Sequence, residues 1–455
     1  MPGSSTPRLD AAFAQLTNRV RAAQQRLGVP GVTFGVLHGT DQRVGALGVT
    51  SLEHPLDVTT ETLFQIGSIS KTVTATAIMR LVERGDLDLN APARSYLPEL
   101  RLADESVARA VEVRHLLNHT GGWVGDFFPR TSDGDDALAS VLPQLESLPQ
   151  ITPLGATHSY NNAAFYIAGR LIERATGLTY ERAAHDLVLG PLGMARSYFG
   201  AEPVITERFA VGHQAHAGAH AVARPWGLSR AANPVGGIVS SVPDLLRYAR
   251  FHLGDGHSES GERLLKAETI ELMQRPLDPS TSVGVSWMLD AVGGARTFGH
   301  SGATNGQMAL LLHVPERSFA VAVLASSSLG AALNREVSLA ALELILGIAP
   351  EPVPTVRVDA TDLAACLGRY RARLNELELF QDGSELMLRV TPTGGFPFAD
   401  SPPRPALDPV RVAFTSRDRL LALDVPFTGN PGEILRDGNG NVEWLRFGGR
   451  IARKL

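Results

Sequence analysis

The chain has 455 residues, 44% of them hydrophobic and 20% charged, with a net charge of −5. That length exceeds one ordinary core and predicts two or three domains, while the composition excludes a largely disordered chain. The small charge and the lack of any basic block argue against nucleic-acid binding, and a single cysteine, Cys366, excludes an intramolecular disulfide framework.

The opening MPGSSTPRLD carries no apolar run of the kind a secretion signal needs, and no stretch is apolar for long enough to cross a bilayer. The expectation is a cytoplasmic protein without membrane contact. There is no CxxC, no HExxH and no His/Cys cluster at ligand spacing, so neither a metal nor another cofactor is expected.

Leu9, Phe13, Leu16, Val20 and Leu27 recur at helical spacing, and Gly28 and Pro30 end that helix. GVTFGVLHG and RVGALGVT, parted by residues 39–42, predict a hairpin. From Ser68 the pattern becomes helical, with Ala75, Ile78, Met79 and Val82 on one face and Gly85 as the C-terminal cap. A mixed helical and loop region runs to about Gly256; NNAAFYIAGRLIERATG and VPDLLRYARFHLGDG are its clearest helices. SVGVSWMLD, RTFGHSG, GQMALLLHVPE and SFAVAVLASSS follow as strands, closed by a helix over AALNREVSLAALELILG. Strands early and late with helices between them predict one antiparallel sheet built from both ends, with a helical insertion as a second lobe: an α+β sandwich.

Residues 349–357 begin APEPVPTV, with three alternating prolines, and predict a linker between a first unit at 1–348 and a second at 358–455. The second unit holds short strand-like pieces with turn signals at Asp382-Gly383 and Asp437-Gly438. It reads as a small antiparallel β domain.

Three segments carry chemistry. Lysine occurs three times in the chain, at 71, 266 and 454. Lys71 lies three residues after Ser68, so a helix starting near Ser68 puts both on one face, with the serine at the positive end of the dipole. Unlike arginine, a lysine can lose its proton near neutral pH and take one from a serine hydroxyl. A serine cap beside an exposed lysine is the plain alternative. In THSYNNAAF, Tyr160 has the chemistry of a general base or proton relay, and Asn162 offers an amide to a substrate carbonyl or to the lysine. A helix cap after a core aromatic explains the same residues. In Gly299-His300-Ser301-Gly302-Ala303, small residues at a strand edge let a substrate approach backbone N–H groups.

The order S-x-x-K, Y-x-N, H-x-G resembles the serine β-lactamase and penicillin-binding protein superfamily, nearest its class C, esterase and D-aminopeptidase-like branch. TLFQIGSISKTVTA, VRHLLNHTGG, YNNAAFYIAGRLIE, NPVGGIVSSVPDLLRYA and GHSGATNGQ add to the likeness, which covers about residues 10 to 347. The resemblance implies that Ser68 is the acylated nucleophile and Lys71 its partner, with Tyr160 as general base and proton donor to the leaving group. It implies further that Asn162 meets the substrate amide and that His300 takes the place of the third-motif lysine. Ser301 and Gly302 would then line the substrate strand, and the N–H groups of Ser68 and Ala303 would form the oxyanion hole.

The implied enzyme is a serine hydrolase acting through an acyl-enzyme on a small ester, an amide or a D-amino-acid peptide. Its partner is a small-molecule or short-peptide substrate, and homo-oligomerisation is left open. Acyl transfer to an alcohol or amine, β-lactamase or D,D-peptidase activity and a non-catalytic binding role are the alternatives. Penicillin-recognising members carry a lysine where His300 stands, and a neutral histidine anchors a carboxylate poorly. GHSGA also imitates the nucleophile elbow of α/β-hydrolases, which would make Ser301 the nucleophile. That elbow needs a helix directly after the serine, whereas an apolar strand-like run follows here.

Overall fold

A computed structural model describes residues 6–216, 218–279 and 281–455; residues 1–5, part of the stretch read for a leader, lie outside it. A six-stranded antiparallel sheet forms from strands at both ends of the first unit. Its strands are β1 (Gly31–His38), β2 (Asp41–Gly48), β3 (Met288–Val292), β4 (Ala295–Ala303), β5 (Met308–Val314) and β6 (Phe319–Ala325). They are ordered β2-β1-β6-β5-β4-β3, so the early hairpin zips onto the late strands through the β1–β6 pair.

Period-two alternation explains why the central strands read as unbroken apolar runs. Val32, Phe34, Val36, Phe319, Val321 and Val323 pack on one face against Leu16 and Val20 of α1 (Thr6–Leu27). Leu37, Ala320, Ala322 and Leu324 face the other way, into the large core of the helical lobe. That lobe contains α2 (Ser70–Arg84), α3 (Ala163–Thr176) and α4 (Val242–Leu253), while α5 (Gly330–Ala341) joins α1 on the outer face.

Helix α2 is the axis of the helical lobe, and every residue from Ser70 to Leu81 is buried. Its sequence, SKTVTATA, is too polar for a bare core helix, and the hydroxyls are all employed. Thr72 donates to the Ile69 carbonyl, Thr74 lies 2.8 Å from both the Pro234 carbonyl and the Tyr180 hydroxyl, and Thr76 lies 2.9 Å from the Tyr248 hydroxyl. Gly85, at φ +82°, caps the helix as expected.

SVGVSWMLD departs from its expected strand. Pairing into the six-stranded sheet starts at Met288, because Ser286 takes φ +65° and Val283, Val285 and Trp287 before Met288 turn into the core.

A short helix, α6 (Ala360–Cys366), which the sequence reading did not include, leads into a closed eight-stranded antiparallel barrel. Its strands are β7 (Gly368–Arg371), β8 (Asn375–Asp382), β9 (Glu385–Pro392), β10 (Val410–Ser416), β11 (Arg419–Ala422), β12 (Pro431–Arg436), β13 (Val442–Phe447) and β14 (Arg450–Lys454). β14 pairs back onto β7, so no edge is left open. Tyr370, Leu379, Leu388, Leu445 and Ala452 fill the interior as a separate core.

Candidate active site

Ser68 sits in a 3₁₀ turn (Gly67–Ile69) that leads into α2, one turn earlier than the α-helix proper. The i,i+3 spacing still stacks the two side chains, and Lys71 Nζ lies 3.0 Å from Ser68 Oγ. Lys71 is 0% exposed, and among the described residues its other hydrogen bond is 2.6 Å to the Val235 carbonyl in the NPVGG turn. Burial, then the nearby positive charge of Arg450, pushes its pKa well below the usual lysine value; Asp126 opposes them. The site therefore favours a neutral amine with a lone pair beside the serine.

Tyr160 closes the other side. Its ring centroid is 5.1 Å from Lys71 Nζ, and its hydroxyl is buried without a well-formed hydrogen bond among the described residues, although Ser68 lies close enough to favour its ionised form. Burial dominates and raises the phenol pKa, so the resting group is a protonated tyrosine. His119 packs its ring 4.3 Å from that of Tyr160, and its Nδ1 accepts from the Asn161 N–H.

Strand β4 brings the third segment alongside. His300 is 4% exposed, with its ring 6.0 Å from that of Tyr160. Its Nδ1 lies 2.6 Å from the Ser301 carbonyl, which must accept, so Nδ1 carries the proton and the buried Nε2 offers a lone pair. Burial first, then Lys71, lowers its pKa to about 3, so this histidine is neutral.

The backbone of β4 also points at the serine. Thr304 N–H donates to the Gln307 carbonyl, making that pair hydrogen-bonded across β4 and β5. The next pair, Ala303 with Met308, is then the non-bonded type, so the Ala303 N–H points away from β5. It points towards the serine turn, since a Cβ on Gly67 would lie 2.6 Å from Ala303 N. A Cβ on Gly302 would lie 1.9 Å from the Ile66 carbonyl and 3.1 Å from Ser68 N, so only glycine lets strand and turn approach this closely.

The barrel supplies the last wall. The β13–β14 loop is the pair Gly448-Gly449, with φ +57° and +78°, which is type I′ geometry. Its tip reaches the tyrosine: Tyr160 N–H donates to the Gly449 carbonyl at 2.8 Å, and Arg446 donates to Thr157 Oγ1. Arg450 lays its guanidinium 4.6 Å from the Tyr160 ring centroid. Its Nε is 3.1 Å from Asp126 Oδ2, and Asn162 Nδ2 donates to Asp126 Oδ1 at 2.7 Å.

The first unit matches the family model described as Beta-lactamase over residues 16–344. The chain belongs to the beta-lactamase family. Within this family of serine hydrolases it is 32% identical to "Penicillin-binding protein 4" of Amycolatopsis lactamdurans over 354 residues, which is 75% of this chain and 93% of that protein. It is 38% identical to "Esterase EstB" of Burkholderia gladioli over 224 residues, 46% of this chain and 54% of the esterase. The crystal structure of SurE with D-Leu superposes with a TM-score of 0.72 at 25% identity, covering 98% of this chain and 100% of that one. That coverage takes in the barrel as well as the beta-lactamase unit.

Against this family background the expected residues fall as follows. Ser68, Lys71, Tyr160, His300 and the Ala303 backbone converge. Asn162 lies at their margin, its amide nitrogen engaged by Asp126. On β4, His300 and Gly302 face the buried side while Ser301 and Ala303 are exposed on the other. Ser301 sits within a strand that continues into a turn and β5, so the elbow geometry of an α/β-hydrolase is absent there. His119 takes φ +61° in the HTGG turn and packs on Tyr160. Asp126 and Arg450 were not found from sequence. The only local trace of Arg450 is the Gly-Gly hairpin turn before it, and 324 positions separate it from Asp126. Among the described residues no helix is long and apolar enough to cross a membrane, and no His/Cys/Asp/Glu group is arranged to hold a metal.

Proposed function

We propose that the protein is a serine hydrolase whose Ser68 is acylated by a small ester, an amide or a peptide with a D-amino-acid residue. The observation that carries this reading is the 3.0 Å contact between Ser68 Oγ and a fully buried Lys71 whose surroundings favour the neutral amine. Lys71 takes the Ser68 proton as Oγ attacks the carbonyl carbon. The resulting oxyanion is received by the N–H groups of Ser68 and Ala303. Tyr160, protonated at rest, passes a proton to the leaving alcohol or amine, and the charged Lys71 resupplies it. Water, or an added alcohol or amine, then gives a proton to Lys71 as it attacks the acyl-enzyme carbonyl, and the Oγ–acyl bond breaks as Ser68 Oγ takes that proton back. With its amide nitrogen on Asp126, Asn162 would turn its amide oxygen to a substrate N–H.

A D-configured acyl residue is supported by the likeness to SurE, whose crystal structure holds D-Leu. Neutral His300 gives no cation for an antibiotic carboxylate, so nitrocefin is expected to be a poor substrate. The test is a panel of p-nitrophenyl esters, D-aminoacyl amides and nitrocefin, with fluorophosphonate labelling read by mass spectrometry. A Ser68 adduct is expected, and Ser68→Ala should lose both the adduct and on the order of 10⁴-fold or more in kcat. Full activity in Ser68→Ala overturns the assignment. Product analysis with and without added amine separates hydrolysis from acyl transfer.

A further inference from the structure

The C-terminal barrel enters the reaction centre through one hairpin. Three hydrogen bonds tie β13 and β14 to the segment just before α3: Tyr160 N to the Gly449 carbonyl, Ile451 N to Ser159 Oγ at 3.4 Å, and Arg446 to Thr157 Oγ1. All three fall within the four residues 157–160 that end on the tyrosine. At the tip of that hairpin Arg450 is held from two sides, by Asp126 and by the Gly448 carbonyl at 3.0 Å. Its guanidinium covers the Tyr160 face, while Lys71 Nζ lies 5.1 Å from the same ring centroid.

We propose that Arg450 is a positioning residue of the reaction, by which the barrel fixes the Tyr160 ring and places a permanent positive charge beside the Ser68–Lys71 pair. The proposal rests on the Ser68 acyl-enzyme reading. Two physical effects follow from the placement. A guanidinium cannot lose its proton, so its charge persists at every working pH. A fixed cation near Lys71 raises the free energy of a second cation there, which keeps the amine available as a base. The same cation favours negative charge developing on the Tyr160 oxygen as the proton leaves it.

The groups facing Lys71 come from several elements, and among the described residues one of them is a fixed cation. They are Ser68 on its own turn, Tyr160, His119, His300 on β4, Asp126 and Arg450. Burial holds His119 and His300 neutral, and Asp126 opposes Arg450. Removing the Arg450 charge while leaving Asp126 in place should therefore raise the proton affinity of Lys71. The acidic limb of kcat/KM, which reports the base in the free enzyme, should move to higher pH.

The experiment is the pH profile of kcat/KM for the full chain on its best p-nitrophenyl ester, for wild type, Arg450→Gln and Arg450→Lys. Arg450→Gln should lose about 10- to 100-fold in kcat/KM at pH 7, with its acidic limb displaced upward. Arg450→Lys should keep the limb where wild type has it and recover part of the rate. If Arg450→Gln does not fold, Arg450→Met repeats the test with the stem retained over the ring. A loss of rate with an unmoved limb, or no loss at all, overturns the proposal. Failure of wild type to form a Ser68 adduct overturns the underlying reading instead, so the two failures are distinct.

Discussion

Lys71 and Arg450 approach the same tyrosine ring, 5.1 Å and 4.6 Å from its centroid, and the protein treats them in opposite ways. Lys71 comes from the first turn of a core helix, is wholly buried, and has a hydroxyl and a carbonyl as its hydrogen-bond partners. Arg450 comes from a barrel hairpin, keeps 35% of its side chain exposed, and is paired with Asp126. Burial with no carboxylate among its hydrogen-bond partners named above makes the first a base; pairing and partial exposure keep the second a cation. The residue types match those tasks, since lysine loses its proton readily when buried and arginine does not.

The severest way to break this contrast is to give position 71 the other residue. Lys71→Arg retains a positive charge near Ser68 but cannot accept the serine proton. It should lose about 10²- to 10⁴-fold in kcat/KM, measured on the ester used above. Lys71→Met, with similar volume and no charge, serves as the folding control: it should unfold cooperatively near the wild-type Tm and be equally inactive. A near-wild-type rate in Lys71→Arg would mean that the site needs only a cation there, and the contrast would collapse.

Much of this site was readable before the structure because its spacing is local. Ser68 and Lys71 are one turn apart whether the turn is 3₁₀ or α, so the pair survives the shift in helix start. His300, Gly302 and Ala303 lie on one strand, whose alternation fixes which face each takes. What was not readable depends on docking. Asp126 is a loop acid in GDFFPR, given meaning only by Asn162 and Arg450. The engagement of Asn162 with Asp126 cannot be seen in YNN, because the motif does not say which way the amide turns. The barrel's strands were legible from turn signals, but its closure depends on β7 meeting β14 across the whole domain. SVGVSWMLD misled because apolar alternation describes a chain entering the core as well as a strand.

A second test sharpens the comparison by changing pH. The site and its immediate neighbours include buried histidines: His300 is lowered to about 3 and His158 to about 4, each by burial first, and burial also holds His119 well below its ordinary value. A histidine whose folded pKa lies below its unfolded value near 6.5 binds more protons when unfolded. Its stabilising contribution is complete above about pH 6.5 and is lost as pH falls towards 3 to 4. Wild-type Tm should therefore drop steadily below pH 6.5. His300→Gln, which keeps a donor for the Ser301 carbonyl and removes the titration, should drop less steeply. Parallel curves would show that His300 is not among the groups held neutral by the fold.

The smallest expected effect isolates the hairpin tip from the guanidinium it carries. Gly448 and Gly449 both take left-handed conformations, in which an alanine costs about 1 kcal/mol or somewhat more. Gly448→Ala and Gly449→Ala should thus lower barrel stability by similar amounts in urea unfolding. Their surroundings differ: a Cβ at 448 meets nothing within 4 Å, whereas one at 449 lies 3.6 Å from the Tyr160 Cβ, at ordinary contact. Strain at 449 is therefore transmitted to the residue whose N–H its carbonyl accepts, and Gly449→Ala alone should lower kcat, by a few-fold. Equal kcat in the two variants would mean that Tyr160 is held without the turn, leaving Arg450 as the barrel's sole contribution to the reaction centre.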